Sequence, residues 1–114
     1  MSAIKTPNHW VRVMADYNSD GLWQSDGGMM IREDLPISPA LAARQHRWCL
    51  RYEGFDDERD DDPFDICQFA AEGLAIAQAI KAELPDWTVI YFDIEKCKFD
   101  DSDQPRSDFE YEVT

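Results

Sequence analysis

The chain has 114 residues, and 24 Asp and Glu against 11 Lys and Arg leave a formal charge of −13. Hydrophobic residues at 44 % and aromatics at 12 %, four of them Trp, can supply a core and exclude a wholly disordered chain. The charge argues against direct nucleic-acid binding, because phosphates repel a net anion that lacks a local basic patch.

The length suits one domain over residues 1–114. Residues 1–8 lack the apolar core of a secretory signal. The most apolar window, 69–84, is broken by Glu72, Gln78, Lys81 and Glu83 and is too short and polar to cross a bilayer. Cys49, Cys67 and Cys97 are odd in number and contain no Cys-x-x-Cys pair. That pattern predicts reduced thiols in a cytoplasmic protein, with no disulfide framework and no cofactor.

In chain order, residues 9–16 are rich in β-formers and predict a strand. Its more apolar alternate set is Val11, Val13 and Ala15, which turns Trp10 and Arg12 outward. Asn18, Ser19, Asp20 and Gly21 carry turn chemistry. Leu22-Trp23 and Met29-Met30-Ile31 flank Ser25-Asp26-Gly27-Gly28, a pattern that suits two short strands. Ser38 before Pro39 reads as an N-cap and first helical residue, and Gly54 as the matching C-cap, so a helix covers 39–53. Leu41, Gln45, Trp48 and Tyr52 fall on its core stripe and Arg44, Arg47 and Arg51 on the adjoining one, with His46 on the outer side.

Residues 53–65 hold eight carboxylates against Arg59, a local balance of −7. Asp65 then caps a helix over 66–84 that Pro85 stops, and Gly73 within it implies close approach of a neighbour. Residues 88–92 read as a central strand. The segment 94–107 is expected to be acidic and partly flexible. Alternation over 109–113 puts Phe109, Tyr111 and Val113 on one face of a strand and both Glu on the other. The expected fold class is α+β: a small antiparallel sheet of four or five strands with two helices on one face, in the order β-β-(β)-α-α-β-β.

No motif names a reaction. His9 and His46 are isolated, each Cys has apolar neighbours that suggest a packed thiol, and no nucleophile–base pair can be assembled, so no enzyme is expected. Asp16-x-Asn18-x-Asp20-Gly21 matches half a calcium loop, with Asp26 one residue short of the bidentate position, which makes a calcium module one alternative. A subunit whose acidity serves only solubility is another. The leading expectation is an acidic inhibitor, immunity-protein or antitoxin-like, that plugs the basic, nucleic-acid-reading cleft of a toxin or nuclease. Asp56, Asp57, Glu58, Asp60, Asp61 and Asp62 are its expected contact acids, and Trp10 and Trp23 its apolar anchors.

Overall fold

The computed structural model describes residues 9–16, 18–53, 65–98 and 101–114. In chain order it contains β1 (Trp10–Val13), β2 (Leu22–Trp23), α1 (Pro39–Glu53), α2 (Ile66–Glu83), β3 (Thr88–Phe92) and β4 (Glu110–Val113). The fold is α+β, as the order of apolar patterns implied.

Helix α1 starts at the expected cap. Ser38 Oγ accepts from the Leu41 N–H at 3.3 Å, which satisfies one of the donors left open at a helix start. Glu83, in the last turn of α2, accepts from the Ser38 N–H at 2.6 Å and from its hydroxyl at 2.7 Å. One carboxylate therefore ties the end of α2 to the start of α1, at the pole where the helix dipole favours negative charge. The expected C-cap, Gly54, lies outside the described residues.

Helix α2 is capped by Asp65, whose side chain accepts from the N–H groups of Cys67 and Gln68. Its buried face runs through Phe69, Ala70, Gly73, Ile76, Ala77 and Ile80. At Gly73 a methyl group would collide with the Tyr91 hydroxyl and lie 2.5 Å from Trp48 Cζ2. Trp48 stacks on Phe69 with ring centroids 4.7 Å apart. Its indole N–H donates to the Phe69 carbonyl at 2.9 Å, and the Tyr91 hydroxyl donates to the Ala70 carbonyl at 2.7 Å. A carbonyl has two lone pairs, so these bonds satisfy both buried side-chain donors without requiring the helix to unwind.

The sheet order is β2-β1-β3-β4. The two outer pairings are antiparallel, but β1 and β3 run parallel with Trp10 opposite Thr88 and Val13 opposite Tyr91. The sheet is therefore mixed, which corrects the all-antiparallel expectation. Parallel neighbours need a long crossover, and the α1–α2 pair lies in the connection that spans it. Two strand boundaries also differ. The first strand ends at Val13 instead of residue 16, and of 29–31 only Met29 forms a bridge, to Trp23.

The core lies between sheet and helices. Val11, Val13, Val89 and Tyr91 are fully buried, and Leu22 and Val113 nearly so, against Leu41, Trp48, Phe69, Ile76 and Ile80. Gln45 joins them at 1 % exposure because its Nε2 donates to the Asp20 carbonyl at 2.7 Å. Gly21, at φ +74°, passes so near this contact that a side chain there would crowd Gln45 and Cys49. Only Cys49 behaves as a packed thiol. Cys67 is exposed and donates to the Glu95 carboxylate, which pushes its pKa up, and Cys97 is half-buried.

Candidate partner-binding face

Because side chains alternate along a strand, the pairing registers define which residues share each face. Opposite the helices, Met29, Trp23, Arg12, Ile90 and Glu112 form one continuous row across the sheet. Trp10 beside Thr88, and Phe92 beside Glu110, extend the same face on either side of that row. Trp10, Trp23, Ile90 and Phe92 are half-buried, while Met29 is 57 % exposed and nearby Ile31 is 53 % exposed. These are large apolar groups that no helix covers.

The polar residues of the face are tied to each other. Arg12 donates to Glu110 at 3.3 Å, with both side chains largely shielded. Arg106 reaches the other Glu110 oxygen at 2.8 Å. Among the described residues, Arg12 Nε is buried with no hydrogen-bond partner. A carboxylate on a strand face that alternation assigned to solvent is thus the anchor of two arginines.

Both expected tryptophans reach this face. Trp10 points away from the core, as its alternation with Val11 and Val13 implied. Trp23 does the same, but its indole N–H donates to the Met14 carbonyl at 2.8 Å, which fixes the ring at the sheet edge. The contact acids Asp56, Asp57, Glu58, Asp60, Asp61 and Asp62 lie outside the described residues.

The residues of the half calcium loop are engaged separately. Asp20 accepts the Arg32 N–H at 3.0 Å and lies 3.7 Å from its guanidinium, whereas Asp26 Oδ1 accepts from the Gly28 N–H at 2.8 Å. Asn18 adopts φ +56°, and the Asp16 carbonyl accepts from the Ser19 hydroxyl at 3.0 Å. Among the described residues no three His, Cys, Asp or Glu side chains converge as a metal site. His46 is not the free surface residue that the helical wheel suggested. It is half-buried, and its Nδ1 faces the Arg32 guanidinium at 2.8 Å. Arginine can only donate, so Nδ1 is the acceptor and this loop is pinned to α1.

Met29 and Ile31, which were not among the expected anchors, are exposed on either side of Met30, itself 1 % exposed.

A scan against protein families places this architecture. The model of the Serratia CdiI immunity protein-like family matches residues 9–94. The chain belongs to that family. The matched span runs from the start of β1 past the end of β3, and so takes in both helices and the parallel central pair. Within the immunity protein-like span lie Trp10, Arg12, Trp23, Met29, Ile31 and Ile90, whereas Glu110 and Glu112 fall beyond it. No curated protein matches the sequence. No helix of the described residues is long and apolar enough to cross a membrane.

Proposed function

We propose that this chain is an immunity protein that binds a toxin of the contact-dependent inhibition class and holds it inactive. The family match over residues 9–94 carries this reading. The protein acts by occupancy, without turnover, in the cytoplasm where the incoming toxin would work.

The target surface is basic and normally reads nucleic acid. A cleft that binds phosphates presents Lys and Arg, and a chain of charge −13 is steered toward it by the same field that draws its substrate. The carboxylates of 56–62 supply steering, and Trp10, Trp23, Met29 and Ile31 supply the apolar contact that slows release.

Co-production with a toxin domain of the contact-dependent inhibition class, taken from the same genome as this chain, tests the reading. Growth should be restored, and the purified pair should associate at a rate that falls steeply between low and high salt. Failure to bind that domain would sink the proposal. A salt-insensitive association rate would retain the immunity role and remove the electrostatic account of it.

A further inference from the structure

The two edges of the sheet are finished differently. On the β2 side the outermost residue is Met29, joined to Trp23 by a single bridge, and its carbonyl accepts from Gln24 Nε2 at 3.2 Å. The other edge is β4, a regular strand of four residues, Glu110–Val113. Parity fixes which of its backbone groups are used. The Thr88 N–H donates to the His9 carbonyl on the β1 side at 2.8 Å, and the Asp93 N–H to the Phe109 carbonyl at 2.7 Å. Even positions of β3 therefore face β1 and odd positions face β4, so the ladder to β4 runs through Val89–Val113 and Tyr91–Tyr111. The N–H and carbonyl groups of Glu110 and Glu112 point the other way, out of the sheet edge, and among the described residues nothing takes them.

We infer that the toxin adds a strand to this edge: an extended basic segment pairs with β4 through the backbone of Glu110 and Glu112, and its Lys or Arg lies opposite the Glu112 side chain. The inference rests on the immunity reading and adds the shape and charge of the docking segment. An unpaired strand edge is a template for another strand, with main-chain bonds supplying affinity and side chains specificity. Charge decides which strand. Both Glu110 oxygens are engaged, by Arg12 and Arg106, while Glu112 is exposed and has no ion-pair partner among the described residues. Antiparallel pairing with the β4 of a second copy, centred on Tyr111 or on Glu112, sets Glu112 against Glu110 or against itself. Like charges directly opposite destabilise a pair, and two chains of charge −13 repel. A Lys or Arg opposite Glu112 removes both penalties. Its side chain also continues the row that runs from Met29 to Glu112, so the added strand and the far face form one surface.

Amide hydrogen exchange of the whole chain, followed by NMR, reads the edge directly. In the free chain Glu112 should exchange at least about tenfold faster than Tyr111, because only the Tyr111 N–H is bonded to β3. Slow exchange at both Glu110 and Glu112 in the free chain would mean that the edge is already filled and would overturn the inference. With the toxin domain bound, both should slow by at least about tenfold. A bound toxin that leaves both exchanging fast would discard the edge and spare the immunity reading. No binding at all would remove the edge and the reading together.

Two variants give a second readout. Glu112→Lys should weaken toxin binding roughly tenfold with an unchanged melting temperature. Glu112→Pro removes an N–H that faces away from β3, spares the ladder, and should weaken binding to a similar extent. If Glu112→Pro fails to fold, Glu112→Lys alone decides. Wild-type affinity in Glu112→Lys would overturn the inference.

Discussion

The two faces of the sheet are built to opposite standards. On the helix side, Gly73, Trp48 and Tyr91 meet with no room for a methyl group, and both buried polar tips are bonded to backbone carbonyls. On the far side, large apolar groups are only half-buried, two arginines share one carboxylate, and Met29 and Ile31 project outward. The contrast separates what the protein needs to fold from what it has available to bind. A packed face tolerates almost no substitution, because lost or added volume is felt at once. A loosely covered face can exchange residues at little cost to stability, and so can be adapted to a particular toxin.

Truncation at the tight face should have the largest effect. Trp48→Ala empties the centre of the aromatic layer and should cost about 3–5 kcal/mol in chemical denaturation. Gly73→Ala adds a single methyl group where none fits and should cost about 1–3 kcal/mol. A neutral outcome for either would show that the two faces do not differ as described.

A pH series probes the same layer. Burial raises the Tyr91 pKa above that of a free tyrosine. Above about pH 10 the unfolded chain then ionises this group while the folded chain does not. Stability should be unaffected by this residue below that pH and should fall above it, by up to about 1.4 kcal/mol per pH unit. Tyr91→Phe should flatten the alkaline limb of a melting-temperature profile, and an unchanged limb would assign the loss to other groups.

The far face and the exposed Arg44–Glu72 pair should respond more weakly in stability. Glu72→Gln breaks the exposed ion pair with Arg44 and should shift stability by less than about 1 kcal/mol in chemical denaturation. Met29→Glu should change the melting point least, within about 0.5 kcal/mol, yet weaken toxin binding measurably by surface plasmon resonance. A Met29→Glu variant that unfolds would make the far face structural after all.

Much of the fold was legible from local chemistry. Ser38-Pro39 and Asp65 marked both helix starts to the residue, and Gly73 announced the close approach that Trp48 and Tyr91 make. Alternation assigned Trp10 and Val113 to the correct faces. It could not reveal that β1 and β3 run parallel, since a period of two carries no direction. The surface was less legible, because its pairings join distant positions. Arg12 with Glu110, and Arg32 with His46, are contacts that no local pattern encodes. The arginines of α1 were visible as a helical stripe, but Glu72, the partner of Arg44, comes from α2.

The parallel central pair also bears on how quickly protection can arise. Residue 10 cannot find its neighbour until residue 88 has been made, so the middle of the sheet stays open while most of the chain is being synthesised. Such long-range closure slows folding relative to a helical bundle of equal size. Removing the last strands by truncation after residue 87 would therefore leave β1 with only β2 beside it, and the row from Met29 to Glu112 could not close.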